Sequence, residues 1–260
     1  MTWWKHTKHK DKAGIICEGS VRSGKTVSMI LSFVLWANTN FENSIFILAG
    51  KTVGSLKRNV ISELIKMLNS LNIEYSVNNT NNYIQIGSNN NIFYMFGGGN
   101  EGSQDLIQGL SASGAFFDEV ALMKESFVNQ AISRCNVSSS KSNTKLWFNC
   151  NPSTPSHFFK KNFIDKAKEK NFFHLHFTMI DNLSLTKEYI ERMKSMYTGV
   201  FYDRYIKGLW AIGEGCVYSN FDKKRHVKDL VIKDNTKFVV SVDYGTQNPC
   251  TRSEEHTSEL

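Results

Sequence analysis

The sequence predicts an α/β fold in which a mainly parallel β-sheet is covered by helices on both faces. Short apolar runs of strand length alternate along the chain with longer segments whose apolar residues recur at helical spacing. Most of these runs are apolar throughout, which is typical of strands buried on both faces of a parallel sheet. Strands and helices that alternate in this way indicate a layered α/β architecture.

The elements follow in a regular order. Ala13–Cys17 predicts the first strand, and Lys25–Ala37 has the length of a helix. Ser44–Ala49 predicts a second buried strand, and the apolar spacing of Val53–Leu71 predicts a helix. Another helix is expected from about Ser156. Further strands are expected at Tyr83–Ile86 and Ile92–Phe96, which form a hairpin, and at Gly114–Phe117, Lys145–Cys150 and Phe172–Phe177.

The sequence changes in character after Trp210. Glycines and a basic run predict a linker over residues 213–236, after a first domain over residues 1–212. A new strand is expected from Lys237, ending at Asp243, so residues 237–251 would begin a second domain. The last nine residues, 252–260, resemble one reading frame of a common sequencing adapter. We therefore exclude them from the expected fold.

Composition narrows the class of protein. The net charge of +7 favours contact with polyanions such as nucleic acid, although a basic soluble surface explains it equally well. The five cysteines are odd in number, and no two have Cys-x-x-Cys spacing, which argues against a disulfide framework or a zinc ribbon. No signal peptide or membrane span is expected, so we expect the protein in the cytoplasm.

The loop between the first strand and the first helix carries the strongest motif. It fits the phosphate-binding pattern G-x-x-x-x-G-K-[ST] of P-loop NTPases, in which backbone N–H groups and the helix N-terminus face phosphate oxygens. Lys25 would reach the β and γ phosphates of ATP, and the Thr26 hydroxyl would bind Mg²⁺. The expected ATP-binding residues are Gly19, Ser20, Val21, Arg22, Ser23, Gly24, Lys25 and Thr26.

A second acidic element is expected at the end of the Gly114–Phe117 strand. Asp118 would support Mg²⁺, and Glu119 would orient or deprotonate the attacking water, a pair that favours an ATPase over a kinase. Arg22, inside the glycine-rich loop, could act at the γ phosphate in catalysis, or only bind phosphate or a neighbouring subunit. We take Glu119, Lys25 and Arg22 as the candidate catalytic residues.

Two amides lie at the end of the Lys145–Cys150 strand. Asn149 and Asn151 could sense the γ phosphate and couple its loss to later segments, or Asn151-Pro152 could simply start a turn. Elsewhere, His174 and His176 alternate with apolar residues. We expect them at a solvent-exposed or interface face rather than as metal ligands.

These motifs in this order resemble the large subunits of tailed-phage terminases, in particular their PBSX-like branch. The resemblance covers about residues 13–250 and includes the glycine-rich loop, Phe117-Asp-Glu119, and the run Asn149-Cys-Asn-Pro-Ser-Thr-Pro-Ser-His-Phe-Phe159. It extends through Asp181–Tyr189 and Met196–Trp210. Val239–Gly245 resembles the first strand of the RNase H-like nuclease domain of this family.

The resemblance implies an ATPase that drives double-stranded DNA into a procapsid, followed by a nuclease. ATP and Mg²⁺ would be its cofactors, and its partners would be a portal protein, a small terminase subunit and further copies in a ring, in the cytoplasm of the host cell. Asp243 would be the first nuclease metal ligand. One carboxylate cannot hold two metal ions, so we expect no nuclease activity from these 260 residues.

Two other interpretations stay open at the level of sequence. One is another DNA-dependent P-loop ATPase, of helicase or repair type, which would not be followed by a strand such as Val239–Asp243. The other is a nucleotide-binding assembly protein that hydrolyses little ATP.

Overall fold

The computed structural model describes residues 2–212, residue 227 and the strands at 237–243 and 251–257. The chain divides into two compact units, Met1–Glu214 and Gly215–Leu260. The predicted linker, 213–236, lies outside the described residues except for Val227.

The described part of the first unit is built on an eight-stranded sheet in the order β3-β4-β5-β2-β6-β7-β1-β8. The six strands from β5 to β8 in this order are parallel, and β3 and β4 extend the sheet as an antiparallel hairpin. The strands are β1 Gly14–Gly19, β2 Ile45–Gly50, β3 Tyr75–Asn78, β4 Tyr83–Ile86, β5 Ile92–Gly97, β6 Gly114–Phe117, β7 Lys145–Cys150 and β8 Phe172–Phe177.

Helices cover both faces of this sheet. The α-helices are α1 Lys25–Asn40, α2 Val53–Leu56, α3 Ser62–Ser70, α4 Glu125–Arg134, α5 Lys187–Met196 and α6 Gly199–Tyr205. Short 3-10 turns lie at Trp3–Lys5, Glu101–Ile107, Val120–Leu122 and Met179–Asp181, and π-helical turns at Lys57–Ile61 and Lys160–Ile164. Among the described residues, we find no helix whose length and hydrophobicity would let it cross a bilayer.

Each face of the sheet carries its own apolar core, because neighbouring residues of a buried strand point to opposite faces. Phe116 packs with Trp36 and Trp147 on the face covered by α1, whereas Phe117 stacks on Phe148 on the other face, with ring centroids 4.8 Å apart. Gly114 makes room for the first core, since a Cβ there would lie 2.8 Å from the Trp36 ring. Both cores fix the positions of the strand ends.

The predicted parallel sheet with helices on both faces is confirmed, and the strands at 83–86, 114–117, 145–150 and 172–177 have the predicted bounds. The single helix predicted at Val53–Leu71 was wrong in detail, because the π-helical turn Lys57–Ile61 separates α2 from α3. The helix expected from about Ser156 is present as a short helical segment over residues 158–164, in which Lys160–Ile164 form a π-helical turn. Strand β3 and helix α4 were not predicted.

The second unit contains an antiparallel pair of strands, β9 Lys237–Asp243 and β10 Thr251–Thr257. The strand expected from Lys237 to Asp243 is therefore present. Residues of the segment that we excluded as adapter-like lie in β10, paired with β9. The assignment of β9 to a nuclease, and of Asp243 to a metal site, stays a prediction.

Candidate active site

The carboxyl ends of β1, β6, β7 and β8 meet at one edge of the sheet, because these strands are parallel. In open α/β sheets ligands bind at this edge. Strand β7 lies between β1 and β6, so the glycine-rich loop after β1 and the acidic pair after β6 are two strands apart. The cluster of loops at this edge surrounds a cavity of about 270 Å³.

The loop after β1 takes a conformation that only its glycines allow easily. Gly19 and Gly24 have φ values of 137° and 81°, and Gly24 is the N-cap of α1. Helix α1 therefore starts at Lys25 with its N-terminus directed at the cavity, an arrangement suited to binding an anion. Arg22 also has a positive φ, 60°, and it is exposed, with its carbonyl accepting a hydrogen bond of 2.7 Å from the Asn182 amide.

Lys25 is only 5% exposed, and its ammonium group lies inside the loop. Its Nζ donates to the carbonyl oxygens of Gly19 and Ser20 at 3.2 and 2.7 Å, and to the Ser23 hydroxyl at 3.1 Å. It also donates to Asn151 Oδ1 at 3.1 Å. Burial lowers the pKa of Lys25, and the Glu119 carboxylate opposes that shift.

Thr26, Asp118 and Asn149 form a polar triad at the base of the cavity. The Asn149 amide donates to Thr26 Oγ1 and to Asp118 Oδ1, each at 2.7 Å, and Thr26 Oγ1 lies 3.2 Å from Asp118 Oδ1. Burial raises the pKa of Asp118, while the hydrogen bonds from Asn149 and Thr26 lower it. The triad joins the start of α1 to the ends of β6 and β7.

Glu119 is held by Asn151. Glu119 Oε1 accepts a hydrogen bond of 2.7 Å from Asn151 Nδ2, and Oε2 accepts a longer one, 3.4 Å, from the Asn151 backbone N–H. Burial and the neighbouring Asp118 carboxylate raise the pKa of Glu119 to about 7, against the influence of Lys25. A carboxyl group with this pKa can exchange a proton near neutral pH, as a general base requires.

The structure brings most of the predicted residues together around one cavity, although Gly19, Ser20 and Val21 are not among its lining residues. Lys25, Thr26, Asp118, Glu119 and Asn149 line or border one cavity. Asn151 is both a strand-end residue and a bridge, because its amide contacts the Lys25 ammonium and the Glu119 carboxylate simultaneously. Sequence spacing offered no indication of this bridge.

The residues present suit a magnesium–nucleotide ligand. Thr26 and Asp118 offer a hydroxyl and a carboxylate oxygen, the ligand types that Mg²⁺ prefers. Asn149 Oδ1 is buried without a hydrogen-bond partner among the described residues, so the site still has an acceptor available to a ligand. Two cationic residues, Arg22 and Lys25, and the N-terminus of α1 border the same cavity.

Sequence reasoning missed a buried acidic residue beside this site. Glu18, the residue before Gly19, accepts a hydrogen bond from the Trp210 indole at 3.1 Å and contacts both His174 and His176. The two histidines are exposed, as the sequence predicted, and each of them also contacts this carboxylate. The signal available in the sequence was a charged residue inside the otherwise apolar run of β1.

Residues 16–225 match the family model described as "Terminase large subunit, T4likevirus-type, N-terminal", which covers more than half of the chain. The chain belongs to the terminase large subunit family. The family predicted from the sequence is thus confirmed, and its PBSX-like branch stays a prediction. A comparison with curated protein sequences gives no significant match.

Solved structures of large terminases resemble this terminase chain. The large terminase of a thermophilic bacteriophage, in complex with ADP, is 51% identical, with a TM-score of 0.77 over 99% of this chain and 63% of that one. The same phage protein in complex with ATP-gamma-S is 50% identical, with a TM-score of 0.76 over 97% and 62%. The chain thus spans less than two thirds of these relatives.

A more distant structure shares the fold. The large terminase ATPase domain of Thermus phage P74-26 is 10% identical, with a TM-score of 0.55 over 76% of this terminase chain and 90% of that one. At this identity the similarity concerns the fold alone. It agrees with the P-loop NTPase architecture predicted from the sequence.

Proposed function

We propose that this terminase chain contains the ATP-hydrolysing motor that drives double-stranded viral DNA into a procapsid. The observation that carries the proposal is the bridge from Lys25 through Asn151 to Glu119, which places a cation, an amide sensor and a carboxylate in one cavity. Complexes of the thermophilic phage's large terminase with ADP and ATP-gamma-S support nucleotide binding by this chain.

In the proposed reaction the chain's own groups position ATP and water. The backbone N–H groups of residues 22–24 and the Lys25 ammonium would bind the phosphates, and Arg22, which borders the same cavity, would contact the γ phosphate. Thr26 and Asp118 would hold Mg²⁺, which offsets negative charge on the β and γ phosphates. Glu119 takes a proton from the attacking water, for which a pKa of about 7 is well matched.

Asn149 and Asn151 are the proposed coupling residues. To bind a γ phosphate, Lys25 would exchange some of its four present acceptors, and loss of the contact with Asn151 Oδ1 would free the amide that also holds the Glu119 carboxylate. When the phosphate leaves, the bridge can form again. The amide thereby passes the state of the nucleotide to the chain after β7, and the helices between 156 and 210 would move DNA held through its phosphates.

We assign residues 1–212 to this motor, 213–236 to a linker and 237–251 to the start of an RNase H-like nuclease domain with Asp243 as its first metal ligand. These bounds rest on the resemblance and on composition. The proposed partners are double-stranded DNA, a portal protein, a small terminase subunit and further copies in a ring, within the host cytoplasm. DNA binding should not depend on sequence and should weaken steeply with salt, because it depends on phosphate contacts.

The test is ATP turnover and ATP-gamma-S binding by the wild type, Lys25→Ala and Glu119→Gln. We expect Glu119→Gln to lower kcat by about 10² or more while it keeps nucleotide affinity, because it removes the base and leaves the phosphate-binding groups. Lys25→Ala should lower both the kcat and the nucleotide affinity. Glu63→Gln is the matched control, since this exposed carboxylate on α3 contacts only Lys66 among the described residues.

The outcomes separate the alternatives. Equal and negligible turnover in all variants, with nucleotide still bound by the wild type, would indicate an assembly protein that binds ATP without hydrolysing it. A helicase-like or repair ATPase would hydrolyse ATP but would not package DNA into procapsids with a portal. The match to the terminase family over residues 16–225 favours neither the assembly protein nor the helicase-like or repair ATPase.

A further inference from the structure

A buried carboxylate that the proposed reaction does not use lies directly before the phosphate-binding loop. Glu18 is 5% exposed. Its Oε1 lies 2.9 Å from His176 Nδ1 and 3.3 Å from His174 Nε2, and its Oε2 accepts a hydrogen bond of 3.1 Å from Trp210 Nε1. Burial alone would raise the pKa of Glu18, but the contacts with both histidines and Trp210 hold it below its usual value.

The segment that carries Trp210 lies against the backbone of the same loop. Gly208 has a φ of 72°, and a Cβ at this position would lie 2.6 Å from Ser20 N and 2.8 Å from Gly19 Cα. Only glycine permits this approach. The Val21 N–H donates to the carbonyl oxygen of Tyr205 at 3.2 Å. Residues 205–210 therefore contact the consecutive residues 18–21, through backbone atoms and through the Trp210 side chain.

His176 joins the two sets of contacts. Its Nδ1 faces Glu18, and its Nε2 lies 3.2 Å from the carbonyl oxygen of Lys207. Two kinds of contact thus hold segment 206–210 against the loop. One is the hydrogen-bonded cluster of Glu18, His176 and Trp210, and the other is the close backbone approach of Gly208. The loop residues it touches, Gly19 and Ser20, are the ones whose carbonyl oxygens accept from the Lys25 ammonium.

We propose that Glu18 is a positioning residue that fastens segment 206–210 to the start of the phosphate-binding loop, so that nucleotide affinity depends on this segment being docked. The proposal rests on the proposed nucleotide-binding function of the loop. Undocking of the segment would release Gly19 and Ser20, and with them the Lys25 ammonium. The dependence is reciprocal, because two coupled sites change each other's equilibria by the same factor. Nucleotide binding should therefore stabilise the docked segment.

The first experiment compares Trp210→Phe with Trp4→Phe by calorimetric titration of ATP-gamma-S. Trp210→Phe removes the indole donor to Glu18 and keeps an aromatic ring, so we expect the dissociation constant to rise about tenfold, as for a lost hydrogen bond to a charged group. Trp4 is the control, because it is a buried tryptophan whose Nε1 has no partner among the described residues, whereas Trp210 is partly buried. Its variant should stay within about twofold of the wild type.

The second experiment needs no variant. Hydrogen exchange of the wild type is followed with and without ATP-gamma-S at the amides of Ile206, Lys207 and Leu209, which donate to carbonyl oxygens of α6. We expect these amides to exchange more slowly with the nucleotide, whereas Gly87, beyond β4, should not change. A merely structural cluster would give no such ligand dependence.

Each outcome has a definite meaning. If Trp210→Phe binds ATP-gamma-S as the wild type does, or if the loop amides respond to nucleotide and those of 206–210 do not, Glu18 does not act as proposed. If the Trp210→Phe chain fails to fold, the exchange experiment on the wild type decides. A wild-type chain that binds no ATP-gamma-S refutes the nucleotide-binding function itself, and this proposal with it.

Discussion

The bridge through Asn151 predicts how ATP turnover depends on pH. Glu119 must be ionised to act as a base, and its pKa is raised to about 7. The value of kcat/KM, which reports the free enzyme, should therefore rise with pH and level off above about pH 8. The sign follows from the chemistry, because the active form is the deprotonated one and is lost as pH falls through the pKa.

Asn151→Ala should shift this profile to higher pH. The substitution removes the 2.7 Å hydrogen bond from Nδ2 to Glu119 Oε1 and keeps the 3.4 Å contact of the backbone N–H. A hydrogen bond to a charged group is worth about 1.5 kcal/mol at the lower end, which equals about one pKa unit. The midpoint should move to about 8, so that turnover falls about fivefold at pH 7 and little at pH 9.

The assay is phosphate release at subsaturating ATP over this pH range, with enough Mg²⁺ to keep the γ phosphate of ATP ionised. Asn182→Ala is the matched control, since this asparagine also borders the cavity but donates to the Arg22 carbonyl rather than to Glu119. Its midpoint should equal that of the wild type. An unchanged midpoint in Asn151→Ala, or a deficit of the same size at every pH, would refute the assignment of the bridge.

Three further predictions concern binding and stability. Lys25→Ala should weaken ATP-gamma-S binding by about 10² without lowering the thermal midpoint, because the buried ammonium is costly to desolvate; calorimetric titration and thermal melting check this. Thr26→Val should raise the Mg²⁺ concentration needed for half-maximal turnover by about tenfold, and an unchanged requirement would contradict the proposed ligand. Gly14→Ala should lower the free energy of unfolding by about 2 kcal/mol or more, because a Cβ there would lie 2.0 Å from the Leu146 carbonyl oxygen. Gly102→Ala is the control, because its Cβ would meet no atom within 4 Å and should change the free energy of unfolding little. Chemical denaturation of the two variants checks this prediction.

The positions of the strands could be predicted from the sequence where the strands are fully buried. Strand Gly114–Phe117 is a continuous run of glycine and apolar residues between Ser113 and Asp118, and Lys145–Cys150 has an apolar centre between Lys145 and Asn149. Strand β3, Tyr75–Asn78, escaped prediction because it lies at the edge of the sheet, none of its residues is fully buried, and asparagines surround it. The π-helical turn Lys57–Ile61 has no periodic signal, because the apolar spacing on both sides stays helical.

In the candidate active site, too, some features could be predicted from the sequence and others could not. The phosphate-binding loop is a local motif, so its residues and their roles could be predicted from order alone. The contacts that complete the site are not local: Lys25 and Asn151 are 126 positions apart, and Glu18 and Trp210 are 192 apart. Such pairs depend on the strand order, which the sequence predicted only as parallel.

The position of β7 between β1 and β6 has a geometric consequence. Neighbouring strands lie about 4.8 Å apart, so the interposed strand separates the two flanking loops by about 10 Å, enough for a terminal phosphoryl group and one water molecule. Asn151 emerges in the middle of this gap. A change in the group that fills this gap, such as the loss of a terminal phosphoryl group, would therefore change the contacts of Asn151. If Asn151 senses the nucleotide as proposed, it would do so by direct contact, without a chain of contacts across the domain.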